Sequence, residues 1–546
     1  VTAQTLSATT LPDAGAERRP TEDRSPEQRS WWPVWRGILL RSALVPVIVL
    51  APLVALQPSA DHRFNTYSNG ARYLAHPGDL FFEAVRSVPQ YLALGNFRPL
   101  GRMVEWTLDA LTFAITGLLG LPANVSLRLV SFASAVLLTL ATVVLAECVV
   151  SRGRPFTGPP SPVAAVLPFA VGGSFVAAGR TSTTVLFGGL YFLTAALVLL
   201  VAAAAAGAVG RPRLGTRLGV LAGVTGAVLA GFNEMAWLAL PLATLVVLVR
   251  ARLVLALSWR ETVRGAGARF TGLLWAGFLP VAIPVRLIIA RECLAGRCYS
   301  GSEVAPDGIL GALPNRLTSW VPPLMWQRAT EGPYGHTLGL ALLPALVLLL
   351  LLIRRFWRDL PSCEIPDRRQ VWALAATGLG VLVLAATMGA LNAQMQLLAA
   401  AGWWGLGWRD SALAGAGGAL LTVALLTGVS VLGRRKAGTY RGGALAGVLL
   451  LVLIAAVSSS ANRDYRAAAA SEKPAFVHDR VAQEIADFDR SAAGDARRCA
   501  LREQYRNGLR RDRRTGYPAE LRRFDQAVNA ATFRLAHRPF CAKLPA

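Results

Sequence analysis

From Trp31 onward the chain alternates long apolar runs with short basic segments. Runs such as LYFLTAALVLLVAAAAAGAV (Leu190 to Val209) and HTLGLALLPALVLLLLLI (His336 to Ile353) approach the roughly 20 residues a helix needs to cross a bilayer. The pattern predicts an all-α polytopic membrane protein with about eleven spans, over 38–56, 125–149, 162–179, 183–209, 218–233, 235–249, 270–290, 338–353, 371–391, 412–432 and 442–458. One segment departs from this. Between Pro99 and Gly120, Arg102, Glu105, Asp109, Thr112 and Thr116 recur every three or four residues, so on a helix they share one face. Such a helix lies in the membrane interface instead of crossing it. Four further regions follow: a tail over 1–37, a large first loop over 57–124 with the amphipathic helix at 99–120, a second large loop over 291–337, and a soluble region over 459–546.

Composition supports the membrane reading. Of 546 residues, 53% are hydrophobic and only 16% charged, too little charge and too much apolar length for a soluble chain of this size. The net charge of +24 would suit a nucleic-acid partner, but its placement argues against one. The basic clusters Arg152/Arg154, Arg211/Arg213/Arg217, Arg250 to Arg269, Arg354 to Arg369 and Arg434 to Lys436 sit between apolar runs. This is the positive-inside distribution, and it places the N-terminus in the cytoplasm and the C-terminus outside. The apolar run after Trp31 lacks a small-residue cleavage site and follows a long polar tail, so it reads as a retained span. Arginine far outnumbers lysine, which with the abundant Ala and Leu indicates a high-GC bacterial genome, hence a bacterial plasma membrane. The sidedness puts Cys293, Cys298, Cys499 and Cys541 outside, where disulfides form, and Cys148 and Cys363 inside as free thiols. The expected pairs are Cys293–Cys298 and Cys499–Cys541, against the alternative of four free thiols.

Few polar residues stand out against this background. Asp61, with Arg63 close by, opens the first loop, either as a reactive carboxylate or as a solvated loop residue. Arg286 lies within the outer part of a span, which costs a few kcal/mol unless an acidic partner, a wet cavity or a lipid phosphate receives it. Arg180 invites the same argument. Glu234 and Asn233 sit at a short external hairpin, as a functional pair or a plain turn. Arg102, Glu105 and Asp109 line the polar stripe, which faces either a cavity or simply water. His62 and His76 lack metal-ligand spacing and read as ordinary loop residues. WWGLGWRD (Trp403 to Asp410) reads as an interfacial aromatic belt or as a platform on which a sugar stacks. The glycine-rich runs AGAGGAL and RGGALAG have no phosphate-loop pattern and suit close helix packing.

The order of Asp61 in SADHRFNTYSNGARYL, the Pro-Leu of NFRPLGRMVEW and Arg128 in GLLGLPANVSLRLVSFASAVLLTL resembles the GT-C superfamily of membrane glycosyltransferases. Protein O-mannosyltransferases and aminoarabinose transferases are of this kind. The resemblance covers about 38–210 as motifs and the remainder as span layout. It implies a GT-C-like fold and a polyprenyl-phosphate-sugar donor lipid held among membrane lipids. It further implies an extracytoplasmic glycan, lipid or protein acceptor, and inverting transfer with Asp61 as base and arginines on the lipid phosphate. Many members of the superfamily carry a second acidic residue after the third span, able to share a divalent metal. Here that turn reads VAAGRTSTTVL without a carboxylate, so two-loop metal binding lacks a ligand unless Glu234 supplies it. No other cofactor is indicated. Two alternatives stand beside transfer: a transporter or flippase of a lipid-linked glycan, which should show repeats and midplane polar residues, and a non-catalytic scaffold with a GT-C-like frame.

Overall fold

Long apolar segments satisfy their backbone groups internally only as helices, and that constraint shapes the whole chain. The computed structural model describes residues 31–56, 60–153, 155–296, 304–330, 339–432, 437–470, 476–511 and 517–542. Among these residues the chain is helical, with a single isolated bridge between Val304 and Asn392 in place of any sheet. The first part comprises α1 (Trp32–Leu50), α2 (Ala60–Ala75), α3 (Pro77–Arg86), α4 (Val88–Ala93) and α5 (Pro99–Leu119). The central bundle follows with α6 (Ala123–Val150), α7 (Pro162–Gly173), α8 (Gly188–Ala208), α9 (Thr216–Ala230), α10 (Ala239–Val249), α11 (Trp259–Arg264) and α12 (Ala266–Leu294). Next come α13 (Ile309–Leu317), α14 (Pro322–Thr330), α15 (Leu343–Asp359), α16 (Arg368–Ala390), α17 (Ala393–Ala400), α18 (Ser411–Leu432) and α19 (Ala437–Ala470). The chain closes with α20 (Val477–Ala486), α21 (Ala492–Arg511) and α22 (Tyr517–Ala536).

Nine helical stretches among the described residues are long and apolar enough to cross a membrane, and α7 and α9 are shorter apolar helices. Together they fall on the eleven segments that hydropathy picks out. α5 is 21 residues long but is not among the candidate spans, because Arg102, Glu105 and Asp109 interrupt it. The protein is an all-α polytopic membrane protein.

Three local departures from the expected layout have physical causes. The first polar stretch is not an open loop: α2, α3 and α4 are helices, and α2 lies along α5 so closely that Gly70 sits against the Asp109 carbonyl. The expected span over 162–179 stops at Gly173, and the one expected at 183 starts as a helix only at Gly188. Between them runs irregular backbone, largely buried, with its carbonyls satisfied from neighbouring helices. Arg128 Nη1 donates to the Thr184 and Val185 oxygens, both at 3.0 Å. Asn462 Nδ2 donates to the Phe175 oxygen at 2.8 Å, while its Oδ1 accepts from the Ala177 amide at 2.7 Å. Irregular backbone is tolerated at such depth only when protein encloses it in this way. Finally, the last span does not end at 458. α19 continues to Ala470, because Ser458, Ser459 and Asn462 find carbonyl acceptors on α1 and α7 and at the start of the irregular segment.

The C-terminal helices join the first ones in a second apolar core. Phe64, Tyr67 and Ala71 of α2 and Phe113 of α5 pack with Val481, Ile485, Phe524, Val528 and Phe540. α2 is thus held between α5 on one side and α20 and α22 on the other. Arg523 of α22 and Arg72 of α2 both reach Glu83 of α3, at 2.8 and 3.7 Å. A disulfide joins Cys499 to Cys541. Cys293 is disulfide-bonded, Cys298 lies outside the described residues, and Cys148 and Cys363 are free.

Candidate functional site

A cavity of about 410 Å³ lies where α8, α10, α12 and α16 meet the short connections that precede α5 and α18. Its lining changes character along its length. At the loop-rich end stand Arg98, Glu234, Arg286 and Arg409, with the amides of Asn96 and Asn392. Deeper lie Leu238, Pro241, Trp275, Phe278, Leu384 and Met388. Along α12 the eleven residue steps from Trp275 to Arg286 cover about 16 Å, roughly half of a bilayer's hydrocarbon thickness. α12 and α16 both pack on α10, while neither packs substantially against the other, so the apolar part of the cavity lies at the gap between two membrane-crossing walls.

The arginines are held by aromatic faces. The Arg286 guanidinium lies 4.3 Å from the centre of the Trp237 ring, and Arg409 lies 5.2 Å from Trp408 and 5.9 Å from Tyr191. Stacking fixes the guanidinium plane and leaves its donor edges directed elsewhere. Arg98 interacts with the Tyr191 hydroxyl; burial opposes its charge, yet Tyr191, Glu105 and Glu234 outweigh that and raise its pKa. Arg102, stacked at 3.3 Å over the Tyr91 ring, sits just behind it, and burial lowers its pKa. Glu234 acts electrostatically on Arg98, Arg102 and Arg286. Its backbone is fixed by Asn233, whose Oδ1 accepts from the Ala236 amide (3.0 Å) and whose Nδ2 donates to Thr194 Oγ1 (3.1 Å).

Behind Arg409 stands a fully buried ion pair. Arg316 of α13 donates to both carboxylate oxygens of Asp410, at 3.0 and 2.5 Å, and to the Leu406 carbonyl at 2.9 Å. That pair anchors the turn on which Trp408 and Arg409 are presented.

A second cavity of about 20 Å³, room for one water, lies close by and is lined by His62, Glu105, Asp109, Thr112, Ser131 and Phe187, among others. Phe187 borders this cavity and Tyr191, one turn on, borders the large one. His62 is buried; its Nδ1 accepts from the Phe187 amide at 3.3 Å, which places the proton on Nε2. Burial foremost, then Arg128, pushes its pKa down to about 3. Asp109 accepts from Asn69 Nδ2 at 3.1 Å, and burial foremost, then Glu105, raises its pKa well above the carboxylate range.

The structure brings together Arg286, Glu234 and Asn233 of the residues singled out by sequence. It places Glu105 and Asp109 at the smaller cavity and Arg102 behind the larger one. Arg180 is exposed and lines neither. Asp61 and Arg63 belong to α2, but their side chains lie outside the described residues; of the described α2 side chains, none lines the large cavity. His62, read as an ordinary loop residue, is a buried helical one. Trp403 and Trp404 are exposed, whereas Trp408 of the same run turns into the cavity. Arg98, Arg409 and Tyr191 escaped sequence reading, although Arg98 directly precedes the Pro-Leu pair and Arg409 lies within the Trp-rich run.

No protein-family model matches the chain, and no curated protein matches it in sequence. Among solved structures, ArnT from Cupriavidus metallidurans bound to undecaprenyl phosphate matches over 82% of this chain and 79% of its own, with 15% identity and a TM-score of 0.34. A likeness of that size carries no argument.

Proposed function

We propose that the large cavity binds a polyprenyl phosphate lipid and that the protein transfers a sugar from a polyprenyl-phosphate donor, in the manner of GT-C-like enzymes. One observation carries the reading: the ring-held Arg286 and Arg409 gather with Arg98 at one end of an otherwise apolar cavity set between membrane-crossing helices. A single-tailed lipid with an anionic head matches both halves. Its chain occupies the stretch from Phe278 to Trp275 and the α12–α16 gap, and its phosphate takes the forked donors of Arg98, Arg286 and Arg409.

In the reaction, an acceptor hydroxyl attacks the anomeric carbon, the bond from that carbon to the phosphate oxygen breaks, and the lipid phosphate leaves with an added negative charge. Arginines held in place beforehand favour that product-like charge over the starting diester, which is the differential binding that accelerates a step. Asp61 takes the acceptor proton in this reading, giving transfer with inversion. The loop-rich end then faces outward from a bacterial plasma membrane, with the N-terminus cytoplasmic and the C-terminal helices outside. The acceptor is an extracytoplasmic glycan, lipid or protein. A divalent metal is not part of the reading, in which the arginines at the head-group end stabilise the departing phosphate.

The test is native mass spectrometry of the purified protein with undecaprenyl phosphate and with undecaprenol. Saturable one-to-one binding of the phosphate form, weakened by Arg286→Ala, supports the reading. Equal binding of both lipids, or indifference to Arg286, defeats it. A transporter would show the same binding, so release of polyprenyl phosphate from glycosylated donors, lost in Asp61→Asn with folding intact, separates transfer from transport or a scaffold.

A further inference from the structure

Resting on that reading, we propose that Glu234 makes the cavity selective for a lipid monophosphate over a lipid diphosphate. Among the described lining residues Glu234 is the sole carboxylate, and it stands with the three arginines at the same end. Three guanidinium groups against one carboxylate leave a formal charge of +2. A phosphate monoester carries about −1.5 to −2 at neutral pH, so the lipid product of transfer neutralises the lining. A diphosphate brings further negative charge into the same end, where it meets Glu234 as a like charge with little water between them.

The backbone of Glu234 is held at that end. It opens a single helical turn, Glu234–Leu238, that Asn233 caps, and Asn233 is itself buried and tied to Thr194 of α8. Trp237, three residues on in the same turn, carries the Arg286 guanidinium. The carboxylate and the platform for its nearest arginine partner on α12 therefore move together or not at all. Arg98 and Arg102 approach Glu234 from the other side, ahead of and within the first turn of α5. That turn is pressed onto the segment before Glu234: Gly101 abuts the Phe232 carbonyl, and Leu100 donates its amide to the Gly231 oxygen at 3.0 Å. The charge balance at the head-group end is thus built by two elements locked to one short turn.

The measurement is competition binding by native mass spectrometry at fixed ionic strength, with undecaprenyl phosphate, undecaprenyl diphosphate and uncharged undecaprenol as probes. The wild-type protein is expected to prefer the monophosphate. Glu234→Gln, which keeps the shape and removes the charge, should shift the ratio toward the diphosphate on the order of tenfold. Glu234→Asp should retain the wild-type ratio, and undecaprenol binding should be the same in all forms. If Glu234→Gln does not fold, Glu234→Asn is read in its place. An unchanged ratio, or a shift toward the monophosphate, overturns the role of Glu234 while leaving the phosphate reading intact. Wild-type protein that binds both phosphates no better than undecaprenol overturns both.

Discussion

The buried arginines of this protein fall into two groups that solve the same problem differently. Arg316, Arg250 and Arg128 donate to the protein: Arg316 to Asp410 and the Leu406 carbonyl, Arg250 to the Ala206, Ser151 and Gly153 carbonyls, and Arg128 through Nη1 to Thr184 and Val185, with the Arg128 Nε and Nη2 and the Arg250 Nε left without a partner among the described residues. Arg286 and Arg409 instead lie on the faces of Trp237, Trp408 and Tyr191. A ring face stabilises the charge without occupying the donor edge. The first arrangement fixes irregular backbone and loop turns. The second leaves donor edges at the cavity, where the proposed lipid phosphate would take them. Position along a span would not have separated them, since Arg286 and Arg128 both lie near the loop-rich ends of long helices.

The comparison breaks most visibly at Arg316. Asp410→Ala leaves a buried guanidinium without its carboxylate, and a loss of roughly 3–5 kcal/mol is expected. It should appear as a large drop in the midpoint of thermal unfolding in detergent, with lipid binding lost as Arg409 is released. Arg286→Ala should do the reverse: undecaprenyl phosphate binding falls by at least about tenfold, while the unfolding midpoint stays near that of the wild type. A large loss of stability in Arg286→Ala would move it into the first group.

Two of the titratable groups at the small cavity, His62 and Asp109, sharpen the contrast through pH. His62 is neutral in the fold with a pKa of about 3, against 6.5 when unfolded. The unfolded chain therefore binds the extra proton between those values, and the stability that His62 contributes is present above pH 6.5 and lost as pH falls toward 3. Asp109 works oppositely: its raised pKa makes its contribution full below the ordinary value of 3.8 and lost as pH climbs through the folded value. Unfolding midpoints of His62→Gln and wild type, compared across pH, should converge as acid is added; a constant gap would remove the assignment. The smallest effect is expected at Arg180. Its exposure away from both cavities predicts lipid binding in Arg180→Ala unchanged within about twofold, and a larger fall would show that the head-group site extends to that turn.

Helix positions were legible in the sequence because hydropathy is local. The runs around Leu190 and Leu343 specify helices wherever they sit, and the three-to-four spacing of Arg102, Glu105 and Asp109 marks α5 as different from its neighbours. The irregular stretch over 174–187 was legible only as a short turn around Arg180, since its flanks read as apolar and small. What interrupts it is help from afar, with Arg128 and Asn462 supplying bonds that a helix would have made itself. The extension of α19 past Val457 has the same origin.

By itself the sequence determined an all-helical chain of many membrane-length segments, the amphipathic character of α5, and a short set of candidate polar residues, Arg286 and Glu234 among them. Only the tertiary structure decided which of these meet. Arg98, Tyr191, Glu234, Arg286 and Arg409 are scattered over more than half the chain, and no local pattern encodes their convergence. Packing made the choice: α10 holds α12 and α16 apart, the capped turn at Glu234 fixes the carboxylate, and the Arg316–Asp410 pair sets the turn that carries Arg409. Charge and hydrophobicity are properties of a residue, whereas a binding site is a property of the distances between residues, and those arise only when the helices pack.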